Sequence, residues 1–315
     1  MADPAHDRSP WAGGRVLALL AVLTAGLLAA HGAVPNAVGR LGSLLETFLP
    51  WLGLAVPVLL GAALLRRSAT ALVALLVPAA VWAGSFGPLL LPAEERGAHD
   101  ITALQHNVSD ENADPAGTAD ALIDSAADLI ALEELTPAAL PAYEKTLASD
   151  YPHHTVHGTV GLWSKYPLEG VRPVDIKPEG IAEGWSRGLR SSVRTPSGEI
   201  AVYVAHLPSV RIGLTGLKSA WRDESAALLG AAVAAEEVDK VILLGDLNGT
   251  VDDRALAPLM SQMNSAGRGF AFSWPAAFPV SRIDQILARS ATVDDIWTLP
   301  ATGSDHLPVA ARIDP

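Results

Sequence analysis

Asp246 and Asn248 stand two residues apart, directly behind the apolar run Val241-Ile242-Leu243-Leu244, and about sixty residues later the chain reads Ser304-Asp305-His306. On an extended segment, side chains two apart point to the same side. A buried run behind them fixes their position at a strand's end, where active-site groups are commonly mounted. The later pair sets a carboxylate beside an imidazole whose ordinary pKa is ~6.5. Carboxylates, an amide and a histidine together suit a site that holds a hard divalent cation and a phosphate.

The elements that must position these groups can be read from apolar runs and their punctuation. Strands are expected at Ile101–Asn107, Asp128–Glu134, Val160–Ser164, Gly188–Arg194, Ile200–His206, Val241–Asp246, Arg282–Ala288 and Pro308–Ile313, with a hairpin turn at Pro196-Ser197-Gly198. Helices are expected to end near Ala127, to run over Pro137–Ala148 behind a Thr136 N-cap, over Leu217–Val238 at helical spacing, and over Asp253–Gln262. Polar groups recur at the predicted strand ends: Asn107, Glu134, His206, Asp246 with Asn248, Asp284, and Asp305 with His306. A single Asp or Asn after a strand is ordinarily a turn residue. Asp284 is different, because it interrupts Ile283-x-x-Ile286-Leu287 and a buried charge needs a partner.

The ordered set resembles the endonuclease/exonuclease/phosphatase superfamily, the pancreatic-deoxyribonuclease-like fold. The motifs are Gln105-His106-Asn107-Val108, Glu133-Glu134, Ser164-x-x-Pro167-Leu168, Ala205-His206-Leu207-Pro208, Gly245-Asp246-x-Asn248, Ile283-Asp284 and Ser304-Asp305-His306-x-Pro308-Val309. Glu133 departs from the family's usual Gln. The resemblance implies an α/β four-layer sandwich of two mixed sheets flanked by helices, with the site at one edge. It also implies roles. Glu134 would bind Mg²⁺ or Mn²⁺ with Asn107 beside it, and Asp305 would supply a further ligand. Asp246 would orient or deprotonate the attacking water, Asn248 would hold a phosphate oxygen, and Asp284 would align His306. His206 would contact the phosphate and protonate the leaving oxygen, the two histidines titrating near neutrality.

The chain is 50% hydrophobic over 315 residues, with a mean hydropathy of +0.28. The excess lies in three apolar stretches, about 16–34, 48–65 and 71–91, each near the ~20 residues that cross a hydrocarbon core. They predict a membrane anchor of three transmembrane helices over residues 1–92, a linker at 93–100 and a catalytic domain over 101–315. Arg66 and Arg67 mark the short loop between the second and third stretches as cytoplasmic, which puts the catalytic domain outside the cytoplasm. A cleaved signal peptide in place of the first span leaves that orientation unchanged. This layout resembles the VanJ-like teicoplanin-resistance membrane proteins, which implies a role in the cell envelope.

Without cysteine, disulfides and thiolate chemistry are excluded. Residues 1–92 hold five arginines against Asp3, Asp7 and Glu46. The remainder holds 17 basic and 31 acidic side chains, a balance of −14. Such a surface repels polyanions and weighs against nucleic acid as the partner. The expected function is a membrane-anchored, divalent-metal-dependent phosphoesterase acting on a phosphorylated small molecule or a lipid-linked phosphate or pyrophosphate. An extracellular nuclease, its groove lined by Arg187, Arg190, Arg194, Arg211 and Arg222, and a non-catalytic binding protein on the same scaffold are the alternatives. Oligomeric state has no signature in the sequence.

Overall fold

The computed structural model describes residues 14–92, 101–214 and 216–315, and the chain divides into two compact units at Leu90. The expected linker at 93–100 lies outside the described residues. The first unit contains α1 (Arg15–Ala29), α2 (Leu41–Thr47), α3 (Ala55–Leu65) and α4 (Ala69–Phe86). Ser68 caps α4 by accepting from the Ala71 amide, and Pro78 is accommodated inside that helix.

Three continuous spans are not what this unit forms. Only Ala69–Leu90, with mean hydropathy 1.8, is long and apolar enough to cross a bilayer by itself among the described residues. The second stretch is broken: Leu41–Thr47 and Leu49–Leu65 meet at a bend of 74°. Pro50 opens a 3-10 turn there, since a proline has no amide to donate to a continuing α-helix. The first stretch ends as a helix at Ala29, which leaves it short.

The second unit runs β1 (Ile101–Asn107), α5 (Pro115–Ile123), β2 (Leu129–Glu133), α6 (Leu140–Leu147), β3 (His153–His157), β4 (Val160–Ser164), β5 (Leu168–Pro173), β6 (Gly188–Thr195), β7 (Gly198–Ala205), β8 (Arg211–Gly213), β9 (Gly216–Lys218), α7 (Ala220–Ala234), β10 (Val241–Asp246), α8 (Ala257–Met260), β11 (Asp284–Arg289), β12 (Thr292–Thr298) and β13 (Val309–Asp314). One sheet has the order β12-β13-β1-β2-β4-β3 and the other β11-β10-β7-β6-β5, while β8 and β9 form a separate hairpin. Both sheets are mixed: β1 runs parallel to β2 and antiparallel to β13, and β10 runs parallel to β7 and antiparallel to β11.

The two inner faces share one core, in which Ala103, Leu129, Ala131 and Leu162 of the first sheet meet Leu189, Val202, Ile242 and Ile286 of the second. Outside the first sheet, α5 and α6 contribute Leu122, Tyr143 and Leu147 to a second core, and outside the other sheet α7 contributes Ala226, Leu229 and Val233 to a third. Covered on both faces, β2, β7 and β10 carry the apolar runs Leu129–Leu132, Ile200–Ala205 and Val241–Leu244 rather than alternation.

This topology decides where polar strand ends go. The parallel pairs β1/β2 and β7/β10 bring their C-termini to one edge of their sheets. The antiparallel partners β11 and β13 begin where β10 and β1 end, with Asp246 opposite Asp284 and Gln105 opposite Val309. Asn107, Glu134, His206, Asp246, Asn248 and Asp284 therefore lie at or just beyond strand ends on one side of the sandwich, and the loop ahead of β13 carries His306.

Candidate active site

The site is built around Asp246, which is 1% exposed at the end of β10. One of its oxygens accepts from the Asn107 side-chain amide at 3.1 Å and the other from the Asn248 backbone at 2.9 Å. His206 Nε2 lies 3.6 Å from Asp246, and His306 Nε2 lies 3.9 Å from it. Glu134 stands 3.8 Å from His206 Nε2 and accepts from the Asp110 amide. Behind them Asp284, fully buried, accepts from His306 Nδ1 at 2.9 Å, from Gln105 Nε2 and from the Ser273 hydroxyl. Asp284, His306, Asp246, His206 and Glu134 thus form a chain whose successive contacts all measure under 4 Å.

Two of the turns that present these groups are strained. Glu134 and Asn248 hold φ of 62° and 48°, the left-handed region, which costs of order 1–3 kcal/mol at a non-glycine residue. Asn248 is held there by its side-chain amide, which donates to the Leu207 carbonyl at 3.0 Å. Its own carbonyl accepts from the buried Arg222, whose guanidinium also meets the buried Asp253 at 2.8 Å. A second hydrogen on the Asn248 amide is left to donate elsewhere.

Burial and neighbours set the charges. For Asp246, burial pushes the carboxyl up to about 7; the His306 charge opposes that shift and Asp284 adds to it. For His306, burial works against the proton but Asp284 and Asp246 overcome it, raising the imidazole to about 10. Asp284 is pushed up by burial, yet the His306 charge and its three hydrogen bonds outweigh this and hold it below the usual carboxylate range. His206 goes the other way. Burial, the Arg187 charge and the His306 charge drive it well below 6.5. The expectation that both histidines titrate near neutrality is therefore corrected. Against burial, the neighbouring carboxylates favour the proton on His306, whereas burial disfavours one on His206, where the adjacent guanidinium also opposes a second positive charge. These directions favour His306 over His206 as the proton donor.

The donor set fits a hard divalent cation. Ligand atoms of Asp246, Asp284 and His306 lie within 4.8 Å of one another and could hold a metal ion. Within this trio Asp284 and His306 Nδ1 are already committed to each other, whereas the Asp246 and Glu134 carboxylates offer the hard oxygens that Mg²⁺ or Mn²⁺ prefers. Asp305 departs from expectation. It is exposed and stands outside this group, because the turn through Ser304, whose hydroxyl donates to the Asn107 carbonyl, directs His306 inward instead.

The groove of five arginines that the nuclease alternative would use is only partly present. Arg190 is engaged by Glu236, Arg194 by Glu169 and Arg222 by Asp253. Arg187 touches the site's own residues, with Nη1 3.2 Å from His206 Nδ1, and Arg211 lines the adjoining cavity with it. Sequence reasoning did not anticipate Ser273 and Gln105 as the other donors to Asp284. Gln105 had a signal, two residues before Asn107 on a strand and so on the same face. Ser273 lies in a loop and had none.

A family model described as Endonuclease/Exonuclease/phosphatase family matches residues 104–306, and the chain belongs to that family. It is a hydrolase of phosphoester bonds. No curated protein matches the sequence. Solved structures share the fold. Humanised D. rerio TDP2 is 18% identical, with 69% of this chain and 100% of that chain covered and a TM-score of 0.56. A beta toxin from Staphylococcus aureus is 14% identical, with coverages of 67% and 99% and a TM-score of 0.55. Sphingomyelinase C from Streptomyces griseocarneus is 18% identical, with coverages of 68% and 99% and a TM-score of 0.51. A variant of the beta toxin contains bound magnesium ions.

Proposed function

We propose that this chain is a membrane-anchored, metal-dependent phosphoesterase that hydrolyses a lipid-linked or other cell-envelope phosphate outside the cytoplasm. The observation that carries the chemistry is the unbroken run of contacts from Asp284 through His306, Asp246 and His206 to Glu134. Glu134, with Asn107 beside it, would hold Mg²⁺ or Mn²⁺, which when bound neutralises charge on the phosphoryl oxygens.

Asp246, with its carboxyl raised toward neutrality, orients the attacking water and takes its proton. The water oxygen bonds to phosphorus, the ester P–O bond breaks, and the departing oxygen takes the proton from His306 Nε2. Asp284 holds His306 Nδ1 and so keeps Nε2 directed at the site. Neutral His206 and the Asn248 amide contact the phosphoryl oxygens, and Arg187 adds positive charge beside them.

The membrane reading is supported by the surface of the first unit. Val16, Leu19, Leu23, Val58, Leu64, Val73 and Leu76 are all more than half exposed, an apolar area that a water-facing surface rarely shows and a lipid environment would cover. Arg66 and Arg67, between α3 and α4, support a cytoplasmic loop there. The fold is shared with a sphingomyelinase C and with a TDP2 complexed with single-strand DNA product, and it is the −14 balance of residues 93–315 that disfavours DNA. A VanJ-like role in protecting the envelope against glycopeptide antibiotics is part of this proposal.

The test is phosphate release by the full chain in detergent from lipid phosphates, nucleotides and plasmid DNA, with Mg²⁺ and with Mn²⁺. Preference for DNA over every lipid phosphate would overturn the substrate assignment.

A further inference from the structure

Beside the reaction centre lies a cavity of about 480 Å³ that the hydrolytic scheme above does not use. Arg187 connects the two, contacting His206 on one side and lining the cavity on the other. The remaining walls are of two kinds. Trp185, Trp221 and Ile181 supply apolar surface, while Arg211 and Lys218 supply charge from the β8–β9 hairpin.

That hairpin is built against its own electrostatics. Arg211 and Lys218 are directly opposite each other in the antiparallel register, where like charges destabilise a pair. Neither has an ion pair or side-chain hydrogen bond among the described residues, and no carboxylate lines the cavity. Elsewhere in this domain arginines are taken up by acids, as Arg190, Arg194 and Arg222 are. Three cations facing one space, in a region whose balance is −14, describe a seat for an anion. The tryptophans and Ile181 beside it describe a seat for an apolar group joined to that anion. Arg187 is drawn over the Trp185 ring, 5.3 Å from its centroid, so Trp221, which is 52% exposed, is the aromatic wall left open to a ligand.

We infer that this cavity is a substrate subsite for the inner phosphate and apolar group of an organic diphosphate. Resting on the phosphoesterase reading, this deepens it by naming the substrate class. The terminal phosphate occupies the reaction centre. Water adds to its phosphorus, the bridging P–O bond breaks, and the bridging oxygen leaves on the inner phosphate with a proton. The products are inorganic phosphate and a monophosphate that keeps the apolar group. Arg187 spans the two phosphates with the donors not given to His206, and Arg211 and Lys218 grip the inner one. An isoprenoid diphosphate and a nucleoside diphosphate share this chemistry, and the assay separates them.

The experiment uses the full chain in detergent with Mg²⁺, two matched substrate pairs and one simple ester. The pairs are geranylgeranyl diphosphate with geranylgeranyl phosphate, and ADP with AMP; the ester is bis(p-nitrophenyl) phosphate. For at least one pair, kcat/KM for the diphosphate should exceed that for the monophosphate by at least about tenfold, as expected for charge-assisted bonds discounted for exposure. Phosphorus NMR should show inorganic phosphate and the monophosphate as products.

The double variant Arg211→Gln, Lys218→Gln should bring that ratio close to one. Trp221→Ala should raise KM for the diphosphate while leaving competitive inhibition by inorganic pyrophosphate in place. Hydrolysis of the simple ester without any diphosphate preference would overturn the subsite alone, as would an unchanged ratio in the double variant or release of intact pyrophosphate. Failure to hydrolyse any of the five compounds would instead overturn the phosphoesterase reading and the subsite with it.

Discussion

Replacing Asp284 by asparagine tests the arrangement at its most connected point. Asp284 makes no contact with substrate in the proposed scheme, yet it accepts from His306, Gln105 and Ser273 while fully buried. Asparagine keeps the volume, but it has one acceptor oxygen and brings two new donors. At least one of the three donors then loses its partner, at ~1–3 kcal/mol for an unsatisfied buried group. With the lost charge on His306, about 2–4 kcal/mol of stability should go, since that pair is buried but its imidazole can neutralise by shedding its proton. For a domain of this length the thermal midpoint should fall by roughly 4–16 °C.

The effect on rate should be larger in proportion. Asp284 is the leading cause that raises His306, and without it the imidazole loses both its proton and its preferred tautomer. A fall in kcat of ~10²–10⁴ is expected, the range for general acid catalysis. The assay is steady-state hydrolysis well below the midpoint, with Ser273→Ala as control. That variant removes one hydrogen bond to Asp284, leaves the His306 contact, and should keep kcat within about tenfold. Asp284→Asn with kcat within threefold of the parent would refute the claim that this carboxylate positions the acid.

Other perturbations probe separate parts of the site. Glu134→Gln should abolish hydrolysis and Mg²⁺ binding together, read by calorimetric titration; retained Mg²⁺ affinity would move the cation elsewhere. Excess chelator should abolish activity and added Mg²⁺ or Mn²⁺ should restore it, whereas turnover persisting in chelator would exclude a metal mechanism. Gly245→Ala should cost upwards of ~3 kcal/mol in a thermal or denaturant melt, because its Cβ would sit 1.9 Å from the Ala205 carbonyl oxygen with only backbone to yield. In the metal-free chain, His306 binds its proton more tightly folded than unfolded, its pKa being raised from 6.5 to about 10. Its contribution to stability is complete below 6.5 and fades as pH climbs through 10. The melting temperature should therefore fall across that window, and His306→Gln should flatten the fall; parallel pH profiles for the two proteins would contradict the shift.

Strands buried on both faces announced themselves by apolar runs with sharp borders, and β1, β4 and β10 occupy the residues expected of them. The edge strands did not. His153–His157 and Leu168–Pro173 lie at the ends of their sheets with exposed or half-exposed residues, so no apolar run marks them. The helix expected from Leu217 begins at Ala220 instead, because Gly216–Lys218 closes a hairpin with Arg211–Gly213 and that pairing leaves no trace in helical spacing. In the anchor region, hydropathy reported composition faithfully but could not report the bend at Thr47–Leu49.

At the site, residue identity was legible and residue charge was not. Asp246, His206 and His306 all read as polar groups at strand ends, and nothing beside them in the chain distinguishes one histidine from the other. What separates them is a partner brought by the fold. Arg187 approaches His206 from the end of a neighbouring strand and keeps it neutral, while Asp284, opposite Asp246 across β10 and β11, keeps His306 protonated. The two histidines are thereby given different chemical tasks by contacts 19 and 22 residues away in sequence. A motif can therefore name the members of this site, but the assignment of acid and of phosphate contact depends on which charged side chain each strand neighbour carries. Exchanging those neighbours, rather than the histidines themselves, is the change that should invert their roles.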